Sequence, residues 1–329
     1  MWSLALLFLP GMTLPDAPDG FSAGAAVDRT LAVREQERSY RVYLPRGWSG
    51  ASPAVFVFHG EGGSADTVQK YARFEPIADE EGFVVVYPQG IGRNWDYAPG
   101  SPVVRSRGFG ALYSKEGTSA ETDERFDDVA LVRSIVDELS DRGVIDPGRV
   151  FATGISSGAM FCHRLAAEAS DVVAGIAPVS GGMSEPVASR FDPKFPVSLV
   201  AIIGNDDPLM PATGGPIAPI LPQDRGRVAP VEETIARYLE LDGISGEPNV
   251  DTLPDGPEDD GTTTRVYRYP PGEGGTLVTI YRIDGAGHNW PGRPLNYHVQ
   301  MVGKASQDFD GSVAIWDFFE QCPPRRVVR

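Results

Sequence analysis

Two kinds of apolar segment alternate along the chain. Short continuous apolar runs at residues 54–58 and 83–87, rich in Val and Phe, fit strands buried on both faces, and residues 173–179 and 197–203 read as two more core strands. Between them residues 66–81, 127–142 and 159–168 carry apolar positions at helical spacing, and residues 149–153 form a further short β-type run. Two earlier strands, 27–33 and 39–44, are joined through the polar turn 34–38 and are expected to pair. Later come a helix at 230–241, a strand pair at 263–269 and 277–283 across 270–275, and a final packing helix at 306–322 with Val313, Ile315, Trp316, Phe318 and Phe319. Strand and helix in regular alternation predict an α/β domain with a mostly parallel central sheet and helices on both faces.

Between the run at 149–153 and the helix from 159 lies Gly154-Ile155-Ser156-Ser157-Gly158. A serine between glycines at a strand-to-helix turn is the pattern of a nucleophile elbow. The glycines let strand and helix pass close together, and the turn holds the serine in strained backbone geometry. Ser156 would project its hydroxyl above the carboxyl edge of the sheet. The Ser157 amide, at the start of the helix, would face the same space, where the helix dipole favours developing negative charge. Alone, the pentapeptide also fits a glycine-rich loop with two solvated serines. Two irregular stretches, 97–124 and 208–228, follow predicted strands and are expected to wall the site, because ligands of open α/β sheets bind at that edge.

Composition narrows the classes. The 329 residues, 41% apolar, are enough for one large α/β domain, expected over 27–322 with a short tail at 323–329. A formal charge of -16 argues against a nucleic-acid partner. Two cysteines, Cys162 and Cys322, make no disulfide framework and no zinc or redox pair. The apolar stretch 4–9 is too short to span a bilayer, and residues 1–26 read as an atypical leader, with export to the periplasm or beyond as the expectation.

A serine hydroxyl needs a base, and the base needs an orienting acid. Of four histidines, His163 lies on the elbow helix and His298 has no informative neighbours. His288, in the flexible-looking loop from Asp284 to Gly292, can reach back over the elbow and is the expected base. The acid should lie between serine and histidine in the chain, after a late strand. Asp206 and Asp207 both qualify, and Asp284 is a third, weaker candidate. The segment His59-Gly60-Glu61-Gly62-Gly63 ends a strand and supplies glycines beside the substrate, so the Gly60 or Glu61 amide is the expected second oxyanion donor beside Ser157.

These motifs together resemble the α/β-hydrolase esterases that include poly(3-hydroxybutyrate) depolymerases, feruloyl esterases and bacterial lipoprotein-type homologues. The likeness runs through His59-Gly60, residues 83–90 with Trp95, Asp127-Asp128-Val129, residues 154–160, 204–208, 225–234 and 285–292. It implies a single-domain α/β-hydrolase fold and a cofactor-free, metal-free serine esterase with Ser156, Asp207 and His288 as the triad. Asp207 is chosen because Pro208 follows it. His59, Trp95 and Trp290 are expected on the substrate side of the cleft, with Trp290 alternatively a core residue that positions the histidine loop. The implied substrates are hydroxyalkanoate oligomers or polyester, or feruloyl and acetyl esters. A peptidase, or a binding module that has kept the fold without catalysis, are the alternatives. Glu61 departs from the small or neutral residue more usual in the oxyanion turn. The two cysteines are fewer than the family often carries, and the lack of a trailing polymer-binding segment shifts the expectation towards soluble or oligomeric esters.

Overall fold

A computed structural model of the chain describes residues 17–99, 127–222, 224–256, 259–294 and 299–325. Most of the expected leader, most of the first irregular stretch, and His298 lie outside the described residues.

The chain opens with a hairpin, β1 (Ala26–Val33) and β2 (Gln36–Tyr43), then enters the core through β3 (Ser52–Phe58). Helices α1 (Ala65–Ala72) and α2 (Glu75–Glu81) lead to β4 (Val84–Pro88), and α3 (Asp128–Asp141) leads to β5 (Ile145–Ile155). The elbow helix α4 (Ser157–Glu168) is followed by β6 (Gly175–Val179), the short α5 (Glu185–Ala188) and β7 (Ser198–Gly204). A two-residue ladder of β8 (Gly215–Pro216) and β9 (Arg227–Val228) precedes α6 (Val231–Leu241). The chain then adds β10 (Asn249–Thr252), β11 (Thr263–Arg268), β12 (Val278–Asp284), α7 (Val299–Val302) and α8 (Gly311–Phe319).

Ten strands form one sheet in the order β1-β2-β4-β3-β5-β6-β7-β12-β11-β10. The centre, from β4 through β3, β5, β6 and β7 to β12, is parallel, and both edges are antiparallel. The continuous apolar runs explain the layering. On β3, Ala54, Phe56 and Phe58 face one core with α3, α4 and α6, while Val55 and Val57 face the other with α1, α2 and α8. Each face is covered by helices, so both sets of alternate side chains must be apolar. This is a single-domain α/β-hydrolase fold.

Local chemistry sets the helix ends. Ser64 and Thr67 form a reciprocal capping box on α1, Asp127 accepts the Ala130 amide at 2.8 Å, and Asp310 accepts the Ser312 amide at 2.9 Å. The helix expected over 66–81 is two helices. Arg73 ends α1 in left-handed geometry (φ 57°), and Pro76 sits in the first turn of α2, where its missing amide hydrogen costs nothing. The last helix is shorter than the expected 306–322 because Asp310 caps it at Gly311. β10, fully exposed along its length, has no apolar alternation for the sequence to reveal. Cys162 and Cys322 are free and buried. Among the described residues no helix is long and apolar enough to cross a membrane.

The elbow depends on the approach of α4 to the end of β3. A Cβ at Gly158 would collide with the Phe58 carbonyl oxygen and lie 2.7 Å from the His59 carbonyl oxygen, and one at Gly154 would lie 2.7 Å from the Phe58 oxygen. Gly158→Ala should therefore destabilise the protein by about 1–3 kcal/mol through overpacking, measured by urea unfolding. An unchanged midpoint would show that the helix can move away freely.

Candidate active site

Strand β5 delivers the chain to Ser156, whose backbone has φ 59° and ψ −121°. A non-glycine residue in this region costs roughly 1–3 kcal/mol, a strain that persists only where its surroundings enforce it. Here the Ser156 amide donates to Val179 O at 3.1 Å, and Ser156 O accepts the Met160 amide at 3.0 Å. Both ends of the residue are thus tied, one to the neighbouring strand and one to α4. Gly181 packs against the Ser156 carbonyl so closely that a Cβ there would lie 2.6 Å from it. The result leaves Ser156 between sheet edge and helix start, with the Ser157 amide among those at the helix N-terminus that have no partner within the helix.

His288 sits on the loop after β12, and that loop is fastened at several points. The His288 amide donates to Val302 O at 2.5 Å, and Asn289 Nδ2 donates to Lys304 O at 3.0 Å. Asn289 N donates to Ser180 Oγ at 3.1 Å, tying the loop to the end of β6. Arg293, buried, donates to Tyr71 O and Ala72 O and clasps Asp310 at 2.6 and 2.8 Å. His288 Nδ1 lies 2.8 Å from Asp207 Oδ2. The other carboxylate oxygen, Oδ1, accepts the Leu209 and Met210 amides, each at 2.8 Å. With both oxygens engaged, the carboxylate is fixed in one orientation, and an acceptor at Nδ1 places the ring proton there and leaves Nε2 as the basic nitrogen. Asp206 is exposed, its amide bonded to Ala286 O, and Asp284 is occupied by Asn205 and Arg265. The structure thus brings Asp207, and neither of the other two aspartates, to the histidine.

Ser156, Ser157 and His288 line a cavity of about 190 Å³ with Gly60, Glu61, Tyr71, Tyr97 and Met160. The stretch 208–228 contributes Leu209, Met210, Ile217, Ala218, Leu221 and Arg225 to its wall, and Tyr97 comes from the start of the other irregular stretch. Gly60 lies against the elbow: a Cβ there would stand 3.4 Å from Ser156 Cβ. The Gly62 and Gly63 amides are spent on Arg93 O and Gly60 O at 2.8 and 2.9 Å, which leaves Gly60 and Glu61 as the candidate donors on this turn. The Glu61 side chain runs to Arg225, with Oε2 accepting from Nε at 3.2 Å. That pairing joins residues 164 apart in the chain, so no local motif signals it.

Of the three residues expected on the substrate side, His59 lines the cavity, whereas Trp95 and Trp290 lie in the core. Trp290 is fully buried, donates from Nε1 to Ser312 Oγ at 3.1 Å and packs edge-on to Phe74. It belongs to the core beneath the histidine loop and is not part of the cavity wall. Trp95, also buried, stacks on Phe161 and donates to His59 O at 2.8 Å, so it supports the turn from His59 to Gly63 from behind. His59 touches the cavity but its ring is committed: Nδ1 faces Gly60 O at 2.8 Å, and Nε2 accepts the Gly90 amide at 3.1 Å. Those partners require the neutral ring. Burial agrees, pushing its pKa down to about 4. His163 is likewise buried, 3.1 Å from the Tyr238 hydroxyl, with its pKa pushed down to about 4 by burial. Away from the cavity, carboxylate oxygens of Asp255, Asp260 and Asp308 lie within 4.8 Å of one another. Those of Asp260 and Asp308 accept from the Thr262, Gln307 and Gly256 amides and from the Thr264 hydroxyl.

Comparison with known proteins gives a consistent picture. Residues 38–190 match the family described as Esterase PHB depolymerase. NocK of Nocardia uniformis subsp. tsuyamanensis is 29% identical over 302 residues, covering 88% of this chain and 81% of that protein. Poly(3-hydroxyalkanoate) depolymerase C of Paucimonas lemoignei is 27% identical, covering 77% of this chain and 58% of its own. The bifunctional acetylxylan esterase/xylanase XynS20E of Neocallimastix patriciarum is 24% identical over 86% of this chain, which spans only 33% of that protein. Among solved structures, the acetyl xylan esterase from Aspergillus awamori superposes with a TM-score of 0.57 at 14% identity, covering 91% of this chain and all 100% of that one. At that identity the likeness concerns the fold.

The two buried histidines set a pH dependence. Burial holds both pKa values at about 4, below the ordinary histidine value of 6.5. Their contribution to stability is therefore complete above about pH 6.5 and is lost as pH falls towards 4, by roughly 3 kcal/mol for each ring. Urea unfolding between pH 7 and 4.5 should show the decline, and His163→Gln should flatten it by about one proton. An unaltered slope in that variant would mean that His163 becomes charged without cost in the folded state.

Proposed function

We propose that the chain belongs with the α/β-hydrolase esterases that take in poly(3-hydroxybutyrate) depolymerases and feruloyl and acetylxylan esterases, and that it is a serine carboxylic-ester hydrolase working through Ser156, His288 and Asp207. The observation that carries this reading is the 2.8 Å contact of His288 Nδ1 with a doubly anchored Asp207, in a cavity shared with Ser156 on its strained elbow.

The steps follow from that arrangement. His288 Nε2 removes the Ser156 proton as Oγ attacks the ester carbonyl carbon, and Asp207 stabilises the imidazolium. The carbonyl oxygen becomes an oxyanion that takes hydrogen bonds from the Ser157 amide and from Gly60 or Glu61. Collapse breaks the bond to the alkoxy group, which leaves as the alcohol with the proton from His288. Water then enters, gives a proton to His288 and attacks the acyl-enzyme. The second intermediate releases the carboxylic acid and returns the proton to Ser156.

The cavity suits acyl groups of modest size, with apolar contact from Ile155, Met160, Leu209 and Leu221. We place the substrates among hydroxyalkanoate oligomers and feruloyl or acetyl esters, by analogy with the relatives. Retention of all three triad residues favours an enzyme over a binding module.

Ser156→Ala should abolish both ester hydrolysis and labelling by a fluorophosphonate, whereas Ser157→Ala should keep labelling because only its backbone is used. Asp207→Asn should lower kcat by about 10⁴-fold, and Asp206→Asn far less. A panel of p-nitrophenyl esters, methyl ferulate, acetylated xylan and hydroxybutyrate oligomers supplies the rates. Labelling that survives in Ser156→Ala, or a reversed ranking of the aspartates, would contradict the assignment.

A further inference from the structure

The cavity contains a charged group that the hydrolytic steps leave unused. Glu61 follows Gly60 on the oxyanion turn and lines the cavity with Ser156 and His288. Its side chain is 17% exposed and that of Arg225 only 9%. Oε2 accepts from Arg225 Nε at 3.2 Å, and Oε1 is buried with no hydrogen bond of its own. A largely buried carboxylate repels a forming oxyanion more strongly than an exposed one, because the interaction is less well screened. An acidic residue on the turn that supplies an oxyanion donor is therefore a hindrance unless something cancels its charge.

Arg225 is placed to do so. It comes from the 208–228 stretch, far from the turn in sequence, and its own backbone oxygen accepts from the Tyr97 hydroxyl at 3.2 Å. Among the described residues, the other basic groups near the turn are otherwise engaged. His59, on the same turn, is held neutral, and Arg93 spends Nε on Gly63 O at 3.0 Å. Tyr97, its ionisation pushed up by burial and then by Glu61, stays uncharged, while neighbouring Asp224 adds negative charge. His288 faces the same cavity.

We propose that Arg225 is a positioning residue for hydrolysis: it neutralises the Glu61 carboxylate and draws it away from the oxyanion. The proposal rests on the serine-esterase reading. It ties reactivity at Ser156 to the placement of the 208–228 stretch, which carries the cation. Burial also pushes the Glu61 pKa upward, so a carboxyl deprived of Arg225 would take up a proton readily as pH falls.

The test measures the rate of Ser156 phosphonylation by a fluorophosphonate, which forms an anionic oxygen in the same place and needs no knowledge of the substrate. Arg225→Ala should slow it by roughly 10- to 100-fold at pH 8, less than the loss of an oxyanion donor. The deficit relative to the unaltered protein should narrow towards pH 5.5 as Glu61 is protonated. The double variant Glu61→Gln/Arg225→Ala should recover most of the rate and lose that pH dependence. Arg225→Met, which keeps the aliphatic stem, and melting curves for each variant separate folding from reactivity. Equal rates in Arg225→Ala and the double variant, or a deficit that does not change with pH, would overturn charge compensation and leave Arg225 a structural clamp. No labelling of the unaltered protein would instead bring down the serine-esterase reading itself.

Discussion

The contact on which the site depends is that between the end of β3 and the first turn of α4. Helix and strand approach so closely that Gly154 and Gly158 leave no room for a side chain against the Phe58 and His59 carbonyls. That approach forces the backbone at Ser156 into φ 59° and brings Gly60 to van der Waals range of the serine. Ser156 and the turn from His59 to Gly63 are therefore positioned by one packing event. Strain at Ser156 is tolerated because strand pairing on one side and helix on the other over-determine its conformation.

The histidine arrives separately and is held by different means. Its loop has no regular structure, so side chains do the fastening: Asn289 on the turn after α7, Trp290 and Arg293 on the junction of α1 and α8. Asp207 contributes from the end of β7, next to β12 in the sheet, and its second oxygen is braced by two backbone amides. In the proposed roles of base and acid, this rigid pair would need little reorganisation when charge moves. The cavity wall, by contrast, comes from the 208–228 stretch, which has only a two-residue ladder of its own.

Much of this was legible in the chain. β3 and β4 announce themselves as unbroken apolar runs because both faces of the sheet are covered, β6 and β7 read as further core strands, and the elbow shows in glycine spacing between strand and helix. Other features were hidden for physical reasons. Edge strand β10 buries nothing, so it lacks a pattern. The break between α1 and α2 was signalled by Pro76, but the apolar period continues across it. Trp290, two positions after His288, fits either a wall residue or a core residue, because proximity along a loop does not reveal which way an indole points; this one is buried in the core. The Glu61–Arg225 pair joins residues 164 apart in the chain, so no local pattern could show it.

The central claim is that Ser156 forms a covalent acyl-enzyme, and rapid mixing with excess p-nitrophenyl acetate tests it most directly. Hydrolysis by this route predicts a burst of nitrophenolate approaching one equivalent per chain wherever deacylation is slower than acylation, with acid-quenched peptides carrying the acetyl group on Ser156. Hydrolysis with no acetylated Ser156 peptide under those quench conditions, or with the group on another residue, would contradict the account.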